Sequence, residues 1–408
     1  MKKYAYLFPV LILSLVTLCI ETDISAPSFP DMSVYFKVSE GLIQYTIATN
    51  FLGFCIASLF YGALSDSYGR RPVMVFGNAI MVVGAMGCVF APTIDWLLFA
   101  RFIQGLGAST SLVVAFAMMA DAYQGDEVVR RISVINSVIA TFMAIAPVAG
   151  SFINQAVGWR GNYSVVALAS LLSWILIVLF LPETREERST FCLKKLMKDY
   201  RVLFSNQSFN QLACVPNLIC GGYLSFIACA SFLYIKTIGL TIYGYALHQG
   251  IIIGLFSVVS LFSGRIVCYM GRKKAISFSI YANTIGITGL LFTSLLAPHT
   301  AILITVFMSL STIGEAIIYP IIFSLSLEIF PDMKGVASSA IMSMRSFLIF
   351  AFVGLMGTVY NDELISYVCV GFLGFIPMCY FLYRIYKSGL LDDVTPSSSE
   401  DIKIAAAS

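Results

Sequence analysis

Charge is what this sequence has least of. Asp, Glu, Lys and Arg supply 12% of its 408 residues, about half the share of a soluble domain, so water cannot be its main solvent. Histidine is nearly missing. His248 and His299 are the only two; they are too few and too far apart for a metal cluster and read as polar surface or interface residues. No two of the ten cysteines have the Cys-x-x-Cys spacing of a redox or metal site, and most lie inside apolar runs as small core residues. A formal net charge of +3 implies no nucleic-acid partner. No metal, cofactor or catalytic group is expected, and the chain does not read as an enzyme.

Hydrophobic residues take up the room instead, at 59% of the chain with a mean hydropathy of +0.87. A bilayer core about 30 Å thick needs about 20 apolar residues per helix. Runs of that length fall at 7–29, 42–65, 73–92, 96–120, 132–157 and 162–182, then at 211–235, 246–268, 275–297, 300–327, 336–359 and 364–384. The fold class is therefore all-α integral membrane with twelve transmembrane helices. The first run follows Met1–Lys3 much as a signal peptide would, but it lacks a small-residue cleavage site. Glu21 and Asp23 come next and the run resumes to Pro30, so it counts as the first span.

Basic residues flank alternate ends of these spans. Lys2, Lys3, Arg70, Arg71, Arg130, Arg131, Arg185, Arg188, Lys194, Lys195, Lys198, Arg201, Arg272, Lys273, Lys274, Lys334, Arg384 and Lys387 fall on one side, against Lys37, Arg160 and Lys236 on the other. Because basic flanks resist translocation, both termini are expected in the cytoplasm. A polar segment at 183–210 divides the spans six and six, giving an N-terminal bundle at 1–182, a cytoplasmic linker and a C-terminal bundle at 211–386. The tail at 387–408, with DDVTPSSSEDIK, is expected to be disordered. Gly62, Gly69, Arg70 and Arg71 of GALSDSYGRR recur 202 residues later as Gly264, Gly271, Arg272 and Lys273 of GRIVCYMGRK. Both copies follow the second span of their half, a pattern that favours duplication. Two pseudo-symmetric six-helix bundles are the architecture of alternating-access transporters.

GALSDSYGRRP from Gly62 to Pro72, RFIQGLGAS from Arg101 to Ser109, TDISAPSFP from Thr22 to Pro30 and APVAG from Ala146 to Gly150 together resemble the major facilitator superfamily. Within it they resemble the drug:proton antiporters of the bicyclomycin-resistance (Bcr/CflA) type. The resemblance covers nearly the whole chain and is strongest from about residue 22 to 185. It implies multidrug efflux by a proton-coupled antiporter that draws on the proton motive force, in a bacterial inner membrane. It also implies small-molecule substrate, protons and lipid as partners, and a working monomer. A dedicated carrier for one metabolite or siderophore is the alternative, and a non-transporting receptor or scaffold on the same fold a weaker one.

Each motif also has a physical reading. In the signature loop Gly62 permits close helix contact, while Asp66, Gly69, Arg70 and Arg71 can form a charge-paired latch; the resemblance makes it a cytoplasmic gate, where a topology signal is the plainer alternative. Cys268 replaces Asp66 in the second copy, so that latch is expected to be weaker. Arg101 lies in the fourth span, where an unpaired guanidinium costs roughly 2.5–3.5 kcal/mol, and should face a partner, with Gln104 one turn on. By resemblance it is tied to proton coupling; a structural anchor is the other reading. Glu21 and Asp23 are about 200° apart on a helix, so one lines the path and the other packs elsewhere. Asp23 matches the subgroup's aspartate and is the expected proton site, with Glu21 second or an attractor for cations.

Pro147 and Gly150 allow a kink and close packing in the fifth span. By resemblance they are associated with export direction, although Ala149 departs from the motif. Glu315 and Arg345 both fall near mid-membrane, and their opposite signs suggest an ion pair that either serves substrate or proton or is structural. Arg265 reads as a snorkelling residue. Tyr45, Asn50, Tyr223 and Tyr319 are candidates, with Glu315 and Arg345, to line a substrate cavity.

Overall fold

The computed structural model describes residues 6–123, 126–185, 190–330 and 333–387. Lys2, Lys3, Arg188 and the tail after Lys387 lie outside the described residues. Among the described residues fourteen α-helices follow one another, and twelve stretches are long and apolar enough to cross a membrane.

The first span is broken. Helix α1 (Leu7–Asp23) gives way to a 3-10 turn at Ala26–Ser28 and then to α2 (Phe29–Phe36), because Pro27 and Pro30 fix the backbone and remove amide donors. The following spans are α3 (Glu40–Tyr68), α4 (Arg70–Val89), α5 (Ile94–Ala122), α6 (Asp126–Val157) and α7 (Trp159–Phe180). The polar segment expected as a plain linker contains a short helix, α8 (Leu193–Ser205). Its Leu196, Tyr200 and Leu203 are buried while Lys194, Lys195, Lys198 and Arg201 are exposed, the pattern of an amphipathic helix lying on a surface. The second set of spans is α9 (Gln207–Ser231), α10 (Ile242–Met270), α11 (Arg272–Leu296), α12 (Ala301–Glu328), α13 (Lys334–Val359) and α14 (Leu364–Lys387). A π-helical turn, Phe232–Thr237, prolongs α9.

Helices α1 and α3–α7 pack chiefly on one another, as do α9–α14, and the two sets meet mainly along α3 with α13 and α6 with α10. Small residues make the crossings close. A Cβ at Gly105 would lie 1.9 Å from the Asn50 carbonyl oxygen, and one at Gly53 would lie 2.2 Å from that of Phe102, so α5 and α3 touch backbone to backbone, as helices in lipid do when the contact residues are small. The duplicated loop leaves the same trace in both halves. Gly69 (φ +103°) joins α3 to α4 and Gly271 (φ +80°) joins α10 to α11, each in a backbone region that other residues rarely enter.

Candidate functional site

The break in α1 sets the position of both acidic residues of the first span. Gly150 of α6 leaves room for the Ile24 carbonyl, which would sit 2.0 Å from a Cβ there. Asn162 of α7 donates to Ser28 Oγ at 2.6 Å and to the Gly150 carbonyl at 3.2 Å. Pro147, three residues before Gly150 in α6, has no amide to give the carbonyl one turn back. The fifth-span motif thus builds the bed on which the end of α1 lies.

On that bed Glu21 faces α3 and α5. It is 1% exposed and accepts from Arg101 Nη1 at 2.5 Å and from Asn50 Nδ2 at 2.7 Å. Arg101, also 1% exposed, donates further to Gln104 Oε1 at 2.8 Å and to the Thr46 carbonyl at 3.2 Å. Asn50 closes the ring by donating to the Arg101 carbonyl at 3.2 Å. A charge out of contact with water is tolerable only when paired and hydrogen-bonded in this way. The partner sought by Arg101 is therefore Glu21.

Asp23 is placed differently. At the last position of α1 it is 5% exposed, and among the described residues no hydrogen bond or ion pair holds its carboxylate. Tyr223 of α9 and Tyr245 of α10, both in the other half, lie within its electrostatic range, as does Glu21. One acidic side chain is locked into its own bundle, and the other is unpaired among the described residues and within electrostatic range of the opposite bundle.

The expected ion pair between Glu315 and Arg345 is corrected by the geometry: no contact within 4.0 Å joins them. Arg345 of α13 donates to Tyr319 Oη at 3.3 Å, with its guanidinium 5.4 Å from the centre of that ring. Glu315 of α12 turns instead into a cavity of about 40 Å³ between α9, α11, α12 and α14, which Tyr223 also lines. Sequence spacing gave the depth of both charges but not their directions around the helix axes. Tyr45 packs against Gly357 and Gly354 of α13, 3.5 and 3.7 Å from a Cβ built at each, which makes it a helix contact between the halves.

At the end of α3 the signature loop is part of a wider cluster. Arg70, 6% exposed, pairs with Asp66 at 2.8 Å and with Asp121 of α5 at 2.9 Å, and its Nη1 donates to Ser65 Oγ at 2.6 Å. Glu183 accepts from the amides of Arg70 and Arg71 at 3.0 and 3.3 Å, where it faces the orphan donors at the start of α4. Arg71 donates to the Val178 carbonyl at 2.8 Å, and Gly62 packs 2.9 Å, from a built Cβ, against Ser339 Oγ of α13. Asp121 and Glu183 were not singled out from sequence; their signal was a charge at the end of each span that borders this loop.

A second cluster escaped notice at the opposite end of the same helices. Lys236, on the π-helical turn after α9, contacts Glu40 at the start of α3 and lies 3.3 Å from Asp362 between α13 and α14. Beneath it, a Cβ at Gly41 would fall 1.8 Å from the Gly357 carbonyl oxygen. The two halves are thus joined by charge and by backbone contact on the face away from the signature loop.

Comparison with known proteins agrees with this architecture. The chain is 25% identical over 343 residues to the "Bicyclomycin resistance protein homolog" of Haemophilus influenzae, covering 82% of this chain and 84% of that one. It is 24% identical over 323 residues to the "Multidrug resistance protein MdtM" of Escherichia coli K12, with 79% of each covered. Among solved structures, the partially occluded, inward-open xylose transporter XylE of E. coli superposes with a TM-score of 0.73 at 14% identity, covering 94% of this chain and 98% of that one. A bacterial homologue of the human lysosomal transporter Spinster gives a TM-score of 0.75 at 12% identity, with 97% and 100% covered. These relatives are membrane transporters rather than enzymes. The model of the Major Facilitator Superfamily matches residues 11–354, and the chain belongs to that family as a multi-pass membrane transporter of small molecules.

Proposed function

We propose that this transporter is a proton-coupled antiporter that exports amphipathic small molecules by alternating access, with Asp23 as the group that takes and gives up the proton. The observation that carries the reading is the contrast within α1: Glu21 is fixed by Arg101 and Asn50, while Asp23 has no partner among the described residues and lies within electrostatic range of Tyr223 and Tyr245 of the other half. An unpartnered carboxyl inside a membrane is where binding or losing a proton changes the electrostatic cost most, and rocking of the halves changes what faces it. The names of the drug-resistance relatives support the substrate class. One proton carries about 2.3 kcal/mol per 100 mV, enough for roughly a 50-fold substrate gradient at 1.4 kcal/mol per tenfold.

In this reading the halves at 1–182 and 211–386 move as bodies. Arg70, Asp66, Asp121 and Glu183 latch the cytoplasmic face, and the protein works as a monomer in a bacterial inner membrane with both termini inside. The test is proton release by purified protein in proteoliposomes on addition of lipophilic cations, chloramphenicol-like drugs or siderophores. A response to several unrelated compounds that is lost in Asp23→Asn supports the antiporter; an unchanged response in well-expressed Asp23→Asn protein refutes it.

A second reading has its own support. Among the described residues Arg345 has no acidic partner within 4.0 Å, and it rests on Tyr319, an arrangement suited to the anionic group of one dedicated metabolite or siderophore. A response to a single anionic compound, with none to lipophilic cations, would select it.

A further inference from the structure

Glu315 is an acidic side chain that the first-half site does not use. It is 5% exposed, and among the described residues it has no hydrogen bond or ion pair. A charge so placed is costly and is retained in membrane helices chiefly where it works. It lines the cavity of about 40 Å³ inside the second half. Around Glu315 the polar lining is Tyr223, Asn283, Ser311, Thr312 and Tyr367, and the remainder is largely apolar. Asn283 donates its amide to the Ser279 carbonyl at 3.0 Å and Thr312 its hydroxyl to the Ser309 carbonyl at 3.0 Å, which leaves each an acceptor oxygen that those bonds do not use. A water needs about 10–15 Å³ of such volume and two to four polar partners; the cavity meets both conditions.

We propose that Glu315, with the cavity it faces, is a second proton-binding site of the carrier, lodged inside the second half and separate from Asp23 in the first. The proposal rests on the proton-coupled reading above and extends it to two protonatable carboxyls, one per half. The ligand is a proton rather than a metal cation because the Arg345 guanidinium lies within electrostatic range of Glu315. It repels an added cation, whereas a proton on the carboxylate removes a charge without adding one. The donor set points the same way: a single carboxylate with neutral oxygens, and no group of three metal-ligating side chains among the described residues. Tyr223 lines the cavity and also lies within electrostatic range of Asp23, so it is the side chain common to the surroundings of both sites.

Infrared difference spectra of the purified full-length protein, recorded through a pH titration, read the C=O stretch of protonated carboxyls without any substrate. The wild-type spectrum should contain one component that disappears in Glu315→Gln and another that disappears in Asp23→Asn. Glu315→Gln spectra identical to wild type overturn the proposal. Asp23→Asn spectra identical to wild type instead overturn the first-half proton site, and the Glu315 component then stands by itself. A second variant tests the cavity without removing a charge. A Cβ at Gly222, which lines it, meets no atom within 4 Å, so Gly222→Ala should fold normally while taking up space that water would use. In that variant, hydrogen–deuterium exchange of the Glu315 component should slow at least several-fold; exchange at the wild-type rate overturns the role of the cavity.

Discussion

Arg101 of α5 and Glu21 of α1 are 2.5 Å apart and each is 1% exposed, so the ion pair is closed off from water inside one half of the transporter. Removing one partner of a buried pair leaves an uncompensated charge and costs about 3–5 kcal/mol. Arg101→Ala should therefore lower the unfolding temperature of the detergent-solubilised protein sharply. Arg101→Lys should recover only part of the loss, because one ammonium cannot reach Glu21, Gln104 and the Thr46 carbonyl as the planar fork does. Equal stability of the Lys variant and wild type would show that charge alone matters here.

At the signature loop, Gly69 adopts φ +103° and a Cβ there would lie 2.5 Å from Glu183 Oε2. Gly69→Ala should lose about 1–3 kcal/mol through backbone strain, together with the carboxylate that caps α4. Glu183→Gln keeps the shape and removes the charge, so it should cost less, about 0.3–1 kcal/mol. Thermal unfolding of the two variants side by side distinguishes strain from electrostatics.

Asp121 holds Arg70 from a different helix at 2.9 Å. Asp121→Asn should loosen the joint between α3, α4 and α5 and raise the reactivity of a cysteine introduced at Ser65, whose hydroxyl now accepts from Arg70. Labelling unchanged from the parent cysteine variant would mean that Asp66 alone is sufficient to hold the arginine.

On the opposite face, Lys236 ties Glu40 of one half to Asp362 of the other half's last loop. Charge pairs exposed this much contribute little to stability, about 0–1 kcal/mol, so Lys236→Gln should leave the unfolding temperature nearly unchanged. Its effect should appear in the balance of conformers: spin labels across the α3–α13 seam on that face should show a larger population of long distances. Gly41→Ala, which drives a methyl into the Gly357 backbone, should open the same seam further.

Much of this molecule was legible before its structure. Span number followed from the length of apolar runs, because lipid leaves backbone groups no partner except their own helix. The runs at 42–65 and 96–120 lie within α3 and α5. Gly62, read as permitting close helix contact, has Ser339 Oγ of α13 at 2.9 Å from a Cβ built on it. Arg101 was marked as needing a buried partner, and it has one. The break after Asp23 was less legible, since apolar residues resume beyond it and hydropathy does not register two prolines.

Sequence by itself determined the class, the spans and the inventory of intramembrane charges, since these depend on composition and on local helix geometry. Tertiary structure decided which charges meet. Glu21 and Arg101 are eighty residues apart and pair because Gly105 and Gly53 bring α5 against α3 while Gly150 seats the end of α1. Glu315 and Arg345, closer in sequence, do not pair, because one side chain turns into the second bundle and the other toward Tyr319. Direction around a helix axis is set by what packs against it, and that is a property of the assembled bundle.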